Sequence, residues 1–170
     1  ANGIIALGLR EDDRLIRVTL TDGNSQMLVA SYNGKVVRFP EDTVRPMGRT
    51  ATGVRAIKLD EDGHDRVIGM ICVEESSKES VLVISEKGFG KRTDLDDENG
   101  EPIYRVTNRG GKGVKTMNLT DKTGNLIGLE AVTDEQDLML ITKSGTAIRM
   151  AMDTIRVMGR ATQGVKLIEL

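Results

Sequence analysis

Aromatic side chains are nearly missing from this chain, with no Trp, two Phe and two Tyr in 170 residues. That excludes the rows of stacking platforms that hold single-stranded nucleic acid. It also leaves few anchors, Phe39, Phe89, Tyr32 and Tyr104, for a scaffold that binds proteins through exposed aromatics. One histidine, His64, and one cysteine, Cys72, exclude the usual zinc sites, which need three or four such ligands. A lone cysteine cannot close an internal disulfide, as expected for a reducing cytosol. No apolar run nears the roughly 20 residues that span a bilayer, and no signal-peptide pattern opens the chain. No stretch keeps an i, i+3, i+4, i+7 apolar stripe over three turns, so long helices are excluded. The net charge of −2, taken as a total, speaks against a partner made of phosphates.

What is present is repetition. Hydrophobic content of 38% and 19 glycines belong to a folded chain of one domain or of a few small units. One phrase occurs four times: GIIALGL (3–9), GVRAIKL (53–59), GVKTMNL (113–119) and GVKLIEL (164–170). A second phrase, an apolar run, a turn glycine and an Arg four residues on, recurs as MLVASYNGKVVR (27–38), VLVISEKGFGKR (81–92) and LMLITKSGTAIR (138–149). A third precedes the later glycines: GRTATGV (48–54), NRGGKGV (108–114) and GRATQGV (159–165). From the turn glycine to the Arg of this third phrase is 15 residues in the outer copies and 21 in the middle one, where the acidic stretch DLDDENGEP (94–102) is inserted.

Each unit reads as β. Asn33-Gly34, Lys87-Gly88 and Ser144-Gly145 sit between short apolar strands, where a hairpin needs positive φ. VIGMICV (67–73) and LIGLEAV (126–132) supply a further strand per unit, entered through the polar turns at 60–65 and 121–125. Three to four strands at a fixed period of 50–60 residues describe propeller-like blades. The approximate repeats are 10–59, 60–119 and 120–170, with 1–9 as the last strand of a preceding blade. The chain opens on Ala1 in mid-phrase, which reads as an excised piece. The phrases at 53–59, 113–119 and 164–170 are expected to be equivalent strands, and the insertion an exposed loop, because five acids in nine residues cannot be buried unpaired.

The charges are segregated. Residues 35–58, 105–115 and 143–166 each carry a local +4, a total of +12, so the remainder of the chain carries −14. The acids fall in turns such as REDD (10–13) and DEDGHD (60–65). A single Arg on an exposed strand does no more than solvate it. Basic charge recurring at one phase of a repeat places a basic rim along one side, the footprint of a phosphate binder even in an acidic chain. The expected contacts are Arg38, Arg45, Arg49, Arg55, Arg92, Arg105, Arg109, Lys112, Lys115, Arg149, Arg156, Arg160 and Lys166. In NRGGKG the glycines let backbone N–H groups approach a phosphate, with Arg109 and Lys112 alongside. Val114 follows Gly113 where a nucleotide P-loop has Ser or Thr, so an ATP site is excluded. Asp12/Asp13 and Asp96/Asp97 are turn neighbours with no companion His or metal cluster, so no catalytic residue and no metal site is assigned.

GKVVRFPEDTVRPMGRTATGVRAIKL (34–59) and GFGKRTDL through NRGGKGVKTMNL (88–119) closely resemble the C-terminal domain family of the bacterial DNA gyrase A protein. The resemblance runs over essentially the whole chain. It implies an all-β fold, a β-pinwheel of six blades of which about three four-stranded antiparallel blades are present here. It further implies a module that wraps duplex DNA on its outer rim without reading sequence, in support of ATP-dependent negative supercoiling by a type II topoisomerase. The implied partners are duplex DNA, the gyrase B protein and the rest of the gyrase A protein in an A2B2 enzyme, in the bacterial cytoplasm with the nucleoid. ATP and magnesium serve elsewhere in that parent, and no cofactor is expected in this stretch. The family's hallmark loop is Gln-Arg-Arg-Gly-Gly-Lys-Gly. Thr107, Asn108, Arg109, Gly110, Gly111, Lys112 and Gly113 match its last five positions and depart at the first two, as the hallmark diverged or as another blade's echo of it. Neither Tyr32 nor Tyr104 has the family's catalytic-tyrosine context. The alternatives are the equivalent domain of topoisomerase IV and, from another class, a propeller used as a protein-interaction scaffold.

Overall fold

The computed structural model describes residues 2–74 and 77–170. Ala1, at the head of the segment expected to end a preceding blade, and residues 75 and 76 of the middle repeat lie outside the described residues. The strands of the first half are β1 (Gln26–Ser31), β2 (Lys35–Pro40), β3 (Val67–Val73), β4 (Ser80–Ser85) and β5 (Phe89–Asp94). Those of the second are β6 (Val114–Lys115), β7 (Leu126–Val132), β8 (Asp137–Ile141), β9 (Ala147–Ala151) and β10 (Val165–Lys166). Three tight hairpins, β1–β2, β4–β5 and β8–β9, turn at the three dipeptides read from sequence, with Gly34, Gly88 and Gly145 at φ of 87°, 84° and 92°. Only glycine takes that backbone without strain, which fixes where each hairpin reverses.

Two four-stranded sheets result, in the orders β3-β1-β2-β6 and β10-β5-β4-β7. In each, the apolar strand that follows the hairpin pairs antiparallel with the hairpin's first strand, placing Met70 opposite Val29 and Leu129 opposite Val83. That strand and the fourth both come from the next repeat: β6 returns after β5 to pair with β2, and β10 returns after β9 to pair with β5. Each blade is thus closed by a strand from its successor, and the sheets are offset from the sequence repeats. The β8–β9 hairpin has no outer strand among the described residues, so the third unit is two-stranded where four strands were expected.

The recurring seven-residue phrase explains the offset. Its copies at 113–119 and 164–170 supply β6 and β10, whereas 3–9 and 53–59 form no strand because no hairpin edge lies against them among the described residues. The packing of the phrase nevertheless recurs along the chain. Gly8 donates to the carbonyl of Ala51 at 3.1 Å, Lys58 to Gly111 at 2.8 Å and Asn118 to Thr162 at 2.9 Å. These are one bond repeated three times, from the sixth residue of each phrase to the residue two before the next phrase's glycine. It links the four copies side by side.

Both faces of the blades are apolar because strand residues alternate between two cores. Leu28, Ala30, Val36, Ile71 and Val73 of the first sheet meet Val81, Val83, Phe89, Leu126 and Leu129 of the second, with Tyr104 and Met117 closing the cluster. On the far face of the first sheet, Met27, Val29, Val37 and Phe39 pack under Ile57. On the far face of the second, Leu82 and Val132 pack with Met152 and Ile155, the first residue and the C-cap of a one-turn helix (Met152–Thr154) that follows β9 as its counterpart at Glu41–Thr43 follows β2. The acids of the insertion are exposed as expected. The loop is also anchored, by Leu95 in the core and by Asp96, 3.5 Å from Arg38.

Candidate nucleic-acid interface

The basic loops at 107–113 and 157–164 are held in the same way. Each runs back along the second strand of the preceding hairpin, so that Thr107 N–H donates to the Arg38 carbonyl at 2.8 Å and Met158 N–H to the Arg92 carbonyl at 2.7 Å. Gly113 and Gly164 then turn the chain into β6 and β10 at φ of 77° and 78°. A Cβ on either glycine would meet the Val36 or the Gly90 carbonyl oxygen at 2.4 and 2.5 Å, so the close approach admits no other residue.

This docking corrects two of the expected surface contacts. Arg38 and Arg92 are 6% and 5% exposed and point into the seam between their hairpin and the next loop. Arg38 donates through Nε to Gln26 Oε1 at 2.5 Å and through Nη1 to the Tyr104 carbonyl at 3.0 Å, beside Asp96. Arg92 pairs through Nη1 with Asp134 and reaches the Met152 carbonyl. Both guanidinium groups fasten their seams through Nη1 and are withdrawn from solvent, although Arg92 Nε is buried without a partner among the described residues. Their counterpart in the third hairpin, Arg149, is exposed and paired with Asp137 at 2.6 Å.

The other ten expected contacts recur at three phases of the repeat, forming columns in the sequence. Spacings of 60 and 51 residues place Arg45, Arg105 and Arg156 at one phase, Arg49, Arg109 and Arg160 at a second, and Arg55, Lys115 and Lys166 at a third, with Lys112 beside them. The first and third columns and Lys112 are exposed, whereas Arg109 and Arg160 are half-buried. These two reach back to the preceding copy of the phrase: Arg109 Nη1 donates to the Arg55 carbonyl at 3.4 Å and Arg160 Nη1 to the Lys115 carbonyl at 2.9 Å. Arg109 Nε also donates to the Thr43 carbonyl at 3.0 Å. Lys166 sits 3.1 Å from Glu169; the remaining nine have no carboxylate within 4 Å among the described residues.

The 107–113 loop, Arg38 and Arg105 enclose an open groove of about 490 Å³. Arg109 and Gly110 form its far wall and also border a second groove of about 930 Å³, shared with Arg55 and with Arg10, Arg14 and Arg17. The last three were missed in sequence because Glu11, Asp12 and Asp13 cancel their charge in any local sum. Also missed was Lys91, a wholly buried ammonium under the 159–162 loop. Its signal was positional: the equivalent place three residues after the turn glycine holds Val37 and Ile148 in the other hairpins.

The two tyrosines are structural. Tyr104 is buried, shares a 2.6 Å hydrogen bond with Thr116 Oγ1, and burial pushes its phenol above the ordinary value. Tyr32 donates to Glu86 Oε1 at 2.9 Å, which raises its phenol, and lies under Arg66 at 4.1 Å. Among the described residues no group of three or more His, Cys, Asp or Glu is arranged to hold a metal ion.

Comparison with known proteins adds three findings. A family described as the DNA gyrase C-terminal domain, beta-propeller, matches residues 1–22, 26–74, 79–133 and 136–170. The DNA gyrase A protein of Staphylococcus aureus is 47% identical over 169 residues, 99% of this chain and 18% of that protein, so the chain spans under a fifth of the curated relatives it matches. Among solved structures, a DNA gyrase A C-terminal domain superposes with a TM-score of 0.86 at 23% identity, over 99% of this chain and 54% of that one. A DNA topoisomerase IV C-terminal domain gives 0.85 at 24% identity, over 96% and 48%. Both likenesses speak to the fold alone.

Proposed function

The chain belongs to the DNA gyrase C-terminal domain family, and from that premise we propose that it binds duplex DNA along its three in-phase columns of cations, without reading base sequence. It does so as the wrapping module of a gyrase A protein. The observation that carries the reading is the recurrence, blade after blade, of exposed Arg and Lys, all but Lys166 without a carboxylate partner among the described residues, beside a glycine-bearing loop. Such an arrangement supplies phosphate contacts, which position a duplex and carry no sequence information. A negative total charge does not oppose it, because a cation column acts over about 8–10 Å at physiological salt while the acids sit in other turns. In the parent enzyme, bound to the gyrase B protein and the rest of gyrase A in the cytoplasm, the wrap would serve strand passage driven by ATP and magnesium held elsewhere. The 47% identity to gyrase A favours gyrase over topoisomerase IV.

The test is a salt titration of duplex binding. Each neutralised phosphate contributes about 0.9 to the slope of log K against log salt. Replacing Arg105 and Lys112 by Ala should lower that slope by about two units, equally for unrelated duplex sequences. Both side chains are exposed, so the melting temperature should hold. An unchanged slope, or loss confined to one sequence, refutes the reading.

A further inference from the structure

The second strand of the β4–β5 hairpin carries a lysine where its two counterparts carry Val37 and Ile148, and that lysine has no exposed surface. Its Nζ lies 2.7 Å from the Gly159 carbonyl, 2.5 Å from the Arg160 carbonyl, 3.1 Å from the Thr162 carbonyl and 3.3 Å from Thr162 Oγ1. Four oxygens of one loop, nearly 70 residues away in sequence, converge on a single ammonium. In the neighbouring loop the same task falls to other groups: Gly110 N–H donates to the Ala56 carbonyl at 2.7 Å and Arg109 Nε to the Thr43 carbonyl. There Val37 faces Gly111, and a Cβ on that glycine would lie 3.9 Å from the valine methyl. Val37 facing Gly111 in one blade is thus replaced by Lys91 bonded to Thr162 in the next, an apolar side chain exchanged for a polar one.

We propose that Lys91 is a positioning residue for the DNA-binding edge, its ammonium tying the 159–162 backbone so that Arg160 is held at the phosphate column. The inference rests on the reading of that edge given above. An ammonium has three N–H donors and no acceptor, which suits a basket made only of oxygens. Arg160 is the charged group brought close to it, and no carboxylate lies within 4 Å among the described residues. The strand residue opposite is Val83, which is apolar and buried. Burial and the Arg160 charge push the lysine down to about 8. Above that pH the amine keeps two N–H groups for four oxygens, so the loop is held less firmly while the cost of burying a charge disappears.

Three measurements decide it. On the unaltered protein, NMR titration of the Lys91 Nζ should give a midpoint near 8, with the amides of 159–162 shifting at the same midpoint; a midpoint near the ordinary 10.5 with no coupled shift overturns the proposal. In Lys91→Met, at one fixed pH, amide exchange should quicken about tenfold or more across 159–164 and stay unchanged in β1 and β2. Uniform or absent change overturns it. For duplex DNA, Lys91→Met should lower the salt slope by about one unit, the share of one phosphate contact. It should remove the weakening of binding between pH 7 and 9.5, and add nothing in an Arg160→Ala background. Additive losses overturn it. Should the unaltered protein bind no duplex, the reading of the edge falls, while titration and exchange still judge the lysine.

Discussion

At the scale of single residues, neighbouring cations of one charge run do different work. Arg38 is buried among Gln26, the Tyr104 carbonyl and Asp96, whereas Arg105 is exposed, with no carboxylate within 4 Å among the described residues. Arg38→Met leaves the buried Tyr104 carbonyl without its donor, and should cost about 1–3 kcal/mol in urea denaturation. Arg105→Ala should cost almost nothing there and appear only in the salt slope of DNA binding. The two variants therefore separate fold from function. Lys91 adds a pH effect with a definite sign. Its folded value near 8 lies below the ordinary 10.5, so between them the unfolded chain binds more protons than the folded one. Stability from this group then rises with pH across that window, and below 8 its cost is fully present. Urea midpoints at pH 7.5 and 10 should show the unaltered protein gaining on Lys91→Met. Local sequence does not sort these cations; for Lys91 only the comparison with Val37 and Ile148 in the other hairpins does. Lys91 and Arg92 adjoin in a charged pair that looks like surface, and only their registers, opposite Val83 and Leu82, put one under a loop and the other in a seam.

At the scale of elements, the hairpins and the strands β3 and β7 were legible residue by residue, since their signals are local: an X-Gly turn and an unbroken apolar run. The closing strands were legible only as repeats, because a two-residue strand exists by virtue of the edge it meets. Their glycines offer a comparison. Gly113 and Gly53 occupy the same place in the phrase, at φ of 77° and 86°. A Cβ at 113 would strike the Val36 carbonyl at 2.4 Å, while one at 53 would meet nothing within 4 Å. Gly53→Ala should cost only the left-handed backbone penalty of about 1–2 kcal/mol. Gly113→Ala must in addition break the β2–β6 pairing, and its melting temperature should fall well below that of Gly53→Ala. Equal melting points would mean that β6 contributes nothing. In the insertion, removal of 97–101 should be tolerated, with Leu95 and Asp96 retained as its anchors. A broadened unfolding transition in that deletion would count against this.

For the whole molecule, the period announced blades but not which segments share one. A repeat in sequence marks equivalent residues, and the structure pairs residues from successive repeats, so the offset between them was hidden. The first sheet is closed by a strand from beyond β5, and the second by one from beyond β9. Damage in one repeat must therefore register in the blade before it, and calorimetric and van't Hoff enthalpies should agree for a single transition. The same linkage has a consequence in time. A ribosome delivers β2 by residue 40 but β6 only at 114–115, roughly 75 residues later. At about 5–20 residues per second, the edge of β2 waits some 4–15 s for its partner. Throughout that interval a nascent chain carries an unpaired strand edge next to apolar surface, the kind of template to which chaperones and sister chains attach. Pausing of translation before residue 114 would lengthen that exposure, and synthesis rate thereby becomes a determinant of how much of this chain reaches its blades intact.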